Sequence, residues 1–205
     1  MTTTTELYDE QYYLTHLGNV PYCYKEPWLS FFSNVAKNLN ALYHPKTVLD
    51  AGCAIGLLVK SWQDIGVTCG GIDISHYAIG ETVKHRVKHC VQGSLTDLSD
   101  YPKVDLITCI EVLEHIPAEL EDIVIEQLCN TSDRIVFSST STDFEEKTHV
   151  NVCTQDHWIA SFARHGFALS GDNVGFICPW AKVFCKSERG FMAVQDAISP
   201  QSPTT

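Results

Sequence analysis

The chain has 205 residues, 44% of them hydrophobic and 19% charged, which suits one folded domain with its own core and excludes a disordered chain. Its formal net charge of −11 lacks the basic balance of a phosphate-backbone binder, so DNA and large RNA are not expected partners. The nine cysteines form no C-x-x-C pair and several sit in apolar runs, which reads as free core thiols in a reducing compartment.

Residues 1–6 show neither a charged n-region nor an apolar h-region, and no stretch approaches a membrane span. The expectation is a cytoplasmic protein without a membrane partner. Residues 1–26 are polar but rich in tyrosine (Tyr8, Tyr12, Tyr13, Tyr22, Tyr24), punctuated by Gly18, Asn19 and Pro21. Asn19-Val20-Pro21-Tyr22 is a poor match to the N-P-P-Y box of amino-methyltransferases, because no apolar strand precedes it. Pro27 opens a helix with Trp28, Phe31, Phe32, Val35, Leu39 and Leu42 on one face.

Residues 47–75 organise the chain. A short strand ends in Asp50, and a turn follows with Gly52 and Gly56. Ile55, Leu58, Val59, Trp62 and Ile65 then recur at helical spacing, with Gly66 at the helix end. A second strand over 67–74 carries Asp73 near its tip. Glycines keep side chains off the backbone where a ligand approaches, and a helix beginning near Gly56 aims its free N–H groups into the crevice. An acid about twenty residues onward is placed to accept two ribose hydroxyls. The expected ligand therefore contains a nucleoside. The Gly52-x-x-x-Gly56 spacing and Asp50 disfavour a pyrophosphate and suit a ligand with a cationic amino-acid end.

Ser75 caps a helix over 76–85, and 87–91 reads as a third strand followed by Gly93-Ser94-Leu95. Residues 104–110 form an apolar fourth strand buried on both faces, ending in Glu111-Val112-Leu113-Glu114-His115-Ile116-Pro117. Pro117 starts a helix with Leu120, Ile123, Val124 and Leu128 inward. Strand five covers 134–139, and a polar loop runs over 138–149. Thr154 caps a helix through His165 with Trp158, Ile159 and Phe162 inward. Residues 167–174 and 181–185 form a closing strand pair, and the tail over 187–205 has little periodicity and is expected to fray.

Asp50-Ala51-Gly52-Cys53-Ala54-Ile55-Gly56 closely resembles motif I, D-x-G-C-G-x-G, of the class I S-adenosylmethionine (SAM)-dependent methyltransferases; Ala54 replaces the middle glycine, a departure expected only to tighten the turn. The Glu-Val-Leu-Glu-His-Ile segment after strand four resembles the same position in many small-molecule methyltransferases. The resemblance implies an α/β, Rossmann-like fold: a mostly parallel seven-stranded sheet, helices on both faces and an antiparallel closing strand. It implies a lid segment over 1–45, a SAM-binding catalytic domain over 46–186 and a flexible tail over 187–205. It implies SAM contacts from Asp50, Gly52, Cys53, Ala54, Gly56, Asp73, Ile74, Ser94, Leu95, Ile110 and Glu111, with Tyr13 in the lid over the sulfonium. Tyr12 and Tyr22 join that lid by the same analogy.

Methyl transfer from SAM needs alignment and water exclusion, and a hydroxyl acceptor gains from a base near neutral pKa. Of the nine histidines, His149 and His115 lie at the carboxyl edge of the sheet and are the candidate bases. His85 and His89 read as surface residues. No His/Cys/Asp cluster shows ligand spacing along the chain, so metal-independent catalysis is expected. The expected activity is methyl transfer to a small molecule, at the oxygen of a sugar or polyhydroxylated natural product. N-methylation of a small amine or peptide, a non-catalytic SAM-binding subunit and a nicotinamide oxidoreductase remain as alternatives.

Overall fold

The computed structural model describes residues 7–15 and 20–187. The expectations for the first six residues, for Gly18 and Asn19 and for the tail beyond 187 lie outside the described residues. Helix α1 (Glu10–Thr15) precedes α2 (Trp28–Tyr43), followed by β1 (Thr47–Ala51), α3 (Leu57–Asp64), β2 (Thr68–Asp73) and α4 (His76–Lys84). After β3 (Cys90–Gln92) and β4 (Leu106–Ile110) come two short 3₁₀ turns, Leu113–His115 and Ala118–Leu120. The chain continues through α5 (Glu121–Thr131), β5 (Arg134–Ser138), α6 (Gln155–Arg164), β6 (Phe167–Leu169) and β7 (Lys182–Lys186).

The seven strands form one sheet in the order β3-β2-β1-β4-β5-β7-β6. Strands β1 to β5 pair in parallel, and β7 runs antiparallel to both β5 and β6. A side-chain period of two explains the layers. Val48, Leu106 and Val136 point into the core under α2 and α3, with Val35, Leu39, Leu58, Val59 and Trp62. Their neighbours Leu49, Ile107, Ile135 and Phe137 point to the other face, with Leu128 of α5 and Trp158 and Phe162 of α6. Central strands covered on both faces are largely apolar, as these are apart from the buried Asp50, Thr108 and Ser138. The chain winds outward from β1 to β3 and then returns to β4, so the carboxyl ends of β1 and β4 open a crevice at the reversal point.

Several boundaries differ from the sequence expectation for physical reasons. The third strand is Cys90–Gln92 rather than 87–91, because Arg86 and His89 both take positive φ (57° and 60°) and break extended backbone. The helix expected after Pro117 starts at Glu121, since the 3₁₀ turn Ala118–Leu120 comes first. Its phase therefore leaves Leu120 (39%) and Ile123 (41%) exposed, while Glu121 and Ile125 turn inward. Leu42, expected on the inner face of α2, is exposed. The tyrosine-rich lead contributes a helix, α1, whose Tyr12 and Tyr13 join the same core as Val35 and Leu58. No helix among the described residues is long and apolar enough to cross a membrane.

Candidate functional site

The crevice is walled first by the β1 turn. The register sets Asp50 opposite Thr108, whose hydroxyl donates to Asp50 Oδ1. Burial pushes the Asp50 carboxyl up to about 7; the Thr108 hydroxyl pulls the other way and the Asp73 charge adds to the rise. The Gly52 and Cys53 N–H groups both donate to the Ile72 carbonyl, at 2.9 and 3.0 Å, tying the turn to the end of β2. Asp73 braces the same turn: Oδ2 accepts from the Ala54 N–H and Oδ1 from the Ser75 N–H, each at 2.8 Å. Burial raises the Asp73 pKa and these two bonds oppose the rise. Asp73, expected only to meet a ribose, is thus also part of the turn. Ala54 sits at φ 48°, in the left-handed region, so the departure from glycine carries backbone strain rather than a mere tightening.

A cavity of about 760 Å³ opens above this turn. Asp50, Gly52, Cys53, Ala54, Asp73, Ile74, Ser94, Leu95, Ile110, Glu111 and Tyr13 all line it, and so do His115 and His149. Gly56 does not line it. A Cβ on Gly56 would meet Thr82 Cγ2 at 2.9 Å, and one on Gly52 would meet Val112 Cγ2 at 2.5 Å, so both glycines make room for neighbouring side chains, and Gly52 lines the cavity as well. Five carboxylates line the cavity (Asp50, Asp73, Glu111, Glu114, Asp143) and no lysine or arginine among the described residues does. Its remaining walls are largely aromatic: Tyr8, Tyr12, Tyr22, Trp28, Phe31, Phe32 and Trp180. Glu111 takes a positive φ of 52°, its N–H donates to the Ser138 carbonyl at 2.9 Å, and its Oε1 accepts from Trp180 Nε1 at 2.8 Å.

The far end of the cavity gathers three groups. Glu114 is fully buried in the turn after β4; its Oε1 accepts weakly from the Thr140 N–H at 3.4 Å, while Oε2 makes no hydrogen bond. Burial, and then the Glu111 charge, push Glu114 up to about 8. The His115 and His149 rings lie edge to face, 4.7 Å apart. His115 Nδ1 lies 3.2 Å from the Thr148 carbonyl and His149 Nδ1 lies 2.8 Å from the Asp143 carbonyl. A carbonyl accepts only, so each Nδ1 carries a hydrogen and each Nε2 is the nitrogen left to face other partners. Burial, and then the neighbouring His149, lower His115 to about 4 and hold it neutral. Glu114, His115 and His149 each offer a ligand atom, all within 4.8 Å of one another. The chain spacing showed no such cluster; folding of the 138–149 loop back over β4 assembles it.

The sequence reading quoted Glu114 but gave it no role, although its place beside His115 was the available signal. Trp180 and Trp28 carried no signal, because only the closing strands and α2 bring them to the cavity.

The Methyltransferase domain family model matches residues 28–170. The ubiquinone biosynthesis O-methyltransferase of Paraburkholderia phytofirmans is 33% identical over 93 residues, covering 42% of this chain and 39% of that protein. The Haemophilus ducreyi protein of the same name is 29% identical over 120 residues, covering 53% and 50%. The chain thus matches about half or less of the length of these curated relatives. Among solved structures, the magnesium protoporphyrin IX methyltransferase of Synechocystis PCC 6803 with bound SAH superposes at a TM-score of 0.60 with 17% identity, covering 85% of this chain and 95% of that one. The 1,6-didemethyltoxoflavin-N1-methyltransferase of Burkholderia thailandensis gives a TM-score of 0.62 with 14% identity and coverage of 78% and 79%. The small RNA methyltransferase HEN1 gives 0.60 with 20% identity over 80% of this chain and 26% of that one. At these identities the likeness is one of fold.

Proposed function

The chain belongs to the Methyltransferase domain family, and on that premise we propose that it transfers the methyl group of SAM to an oxygen of a small molecule. The carrying observation is the acidic lining of the cavity: five acidic side chains and, among the described residues, no lysine or arginine. That lining attracts a sulfonium and an ammonium and repels the pyrophosphate of a dinucleotide or the backbone of a nucleic acid. SAM would supply a carbon already activated for in-line displacement. Asp50 then faces the cationic end, Asp73 and the Ala54 turn take the ribose, and Ser94 and Leu95 border the base.

The protein's remaining work is alignment, water exclusion and acceptance of one proton. His149 Nε2 is the group that takes the acceptor's hydroxyl proton. His149 stands at the cavity edge with its side chain 11% exposed, and its Nδ1 is engaged by the Asp143 carbonyl, which leaves Nε2 as the ring nitrogen for the acceptor. A lid role for residues 1–45 is supported by Tyr8, Tyr12 and Tyr13 in the cavity wall and by the Tyr24 hydroxyl, which donates to the Ile55 carbonyl in the glycine turn. The aromatic walls favour a hydroxyl on a flat, partly apolar ring over an unadorned sugar, whose rim of hydroxyls needs more polar partners than these walls offer.

A second reading rests on the Glu114, His115 and His149 cluster and its unpartnered Glu114 oxygen. These residue types suit a divalent cation that would lower the acceptor's pKa in place of a base. One experiment separates the readings: transfer of labelled methyl from SAM to a panel of phenols, catechols, sugars and amines, with and without chelator. In the base reading, His149→Ala lowers kcat at least tenfold, SAM affinity is little changed, and chelation has no effect. Activity lost on chelation and restored by Mg²⁺ or Mn²⁺ selects the metal reading. A His149→Ala enzyme at full kcat removes His149 from both.

A further inference from the structure

Behind the histidines lies a buried acid that the proposed chemistry does not use. Glu121, the first residue of α5, is 5% exposed. Its Oε2 accepts from Asn151 Nδ2 at 3.0 Å, and its Oε1 accepts from Ser161 Oγ and from His157 Nε2, each at 2.8 Å. A carboxylate removed from water is tolerated because donors surround it, and here they come from both sides of the segment that follows the polar loop. These bonds hold the Glu121 pKa below the usual carboxylate value despite the burial that opposes them.

Asn151 is the link. It is 7% exposed, and its backbone N–H and that of Val150 both donate to the Glu114 carbonyl, at 2.9 and 2.8 Å. The segment between β5 and α6 has no helix or strand of its own, so its path depends on such bonds. His149 is the residue immediately before this anchored pair. Its own N–H donates to the Glu146 carbonyl at 3.0 Å, and its ring lies 4.7 Å from that of His115, which sits next to Glu114.

We propose that Glu121 is a positioning residue for His149: through Asn151 it fixes residues 150–151 on the Glu114 carbonyl and so sets the His149 ring against His115 at the acceptor end of the cavity. Glu121 does not line the cavity and touches no reacting atom. The kinetic part of this proposal rests on the assignment of His149 as the proton acceptor, whereas the geometric part does not.

The test uses the full chain with three variants, Glu121→Gln, Asn151→Ala and His149→Ala. Asn151→Ala breaks the link, together with the Cys153 Sγ bond to Asn151 Oδ1, and leaves Glu121 bonded to His157 and Ser161, so it serves if the Glu121 variant fails to fold. The His149 ring signal is assigned in histidine-ring NMR spectra by its loss in His149→Ala. It is expected to shift or broaden in Asn151→Ala and Glu121→Gln, while calorimetry shows SAM affinity within about twofold of the parent. kcat should fall about tenfold or more in Asn151→Ala, since a displacement near 1 Å can cost up to about a hundredfold in rate. Adding Asn151→Ala to His149→Ala should lower kcat no further. A His149 signal that stays in place in Asn151→Ala overturns the proposal, and so do additive losses of kcat. If the ring signal moves but His149→Ala retains full kcat, the positioning stands and the assignment of the base falls.

Discussion

Asp50 joins two opposing demands in one side chain. Burial favours its neutral form, with a pKa raised to about 7, yet the proposed cationic ligand needs the carboxylate. The folded value lies above the unfolded value of about 4, so the stability from the protonated group is full below about pH 4. It is lost as pH rises through 7. Ligand affinity runs the other way, because the charge appears over the same window. We therefore expect SAM affinity to rise from pH 6 to pH 8 and the Asp50→Asn variant to bind weakly with a flat pH profile. The stability advantage of Asp50→Asn over the parent in the absence of SAM should grow over the window from about pH 4 to 7. Calorimetry and urea titration across that range check both signs; a parent affinity independent of pH would remove Asp50 from the cationic site. Asp73 is less separable, since its two oxygens also hold the Ala54 and Ser75 N–H groups.

The strand–turn–helix of β1 and α3 works as a unit because its bends are matched to their neighbours. Gly52 takes φ 77°, and a Cβ there would lie 2.5 and 2.8 Å from the two Val112 methyls. Val112 belongs to the segment after β4, so this close approach docks the turn against the histidine-bearing segment. Gly52→Ala adds left-handed strain of about 1–2 kcal/mol and overpacking of about 1–3 kcal/mol. We expect a stability loss of about 2–5 kcal/mol and weaker SAM binding. Ala54→Gly should do the reverse, gaining up to about 1 kcal/mol as the φ of 48° becomes unstrained. Chemical denaturation of the two variants tests this; equal and small effects would show that the turn yields without cost. The α5 boundary teaches a related lesson: one misplaced helix start rotated the predicted face and hid Glu121.

For the molecule as a whole, the decisive feature is a parallel sheet whose strand order reverses between β1 and β4, placing an acidic cavity at its carboxyl edge. If SAM occupies it, saturating ligand at about 100 times Kd adds about 2.7 kcal/mol by mass action. For a chain of this size that raises Tm by about 5–10 °C. We expect this shift with SAM and with S-adenosylhomocysteine, and none with NAD. A shift with NAD alone would overturn the proposed function. The apolar runs of the central strands, the Asp50-to-Gly56 turn and the capping residues Ser75 and Thr154 were all readable from the chain, because apolar run length, φ preference and capping act over a few residues. So were Asp50, Asp73, Glu111, His115 and His149 as residues of one sheet edge. The aromatic walls, the Trp180 bond to Glu111, the Glu114–His115–His149 cluster and the Glu121–Asn151 brace were not. Each joins residues tens of positions apart, and the 16-residue stretch between β5 and α6 has no local period to predict its path. Short-range chemistry fixed which residues reach the carboxyl edge of the sheet; only long-range packing of loops and the α2 aromatics decided what faces them there.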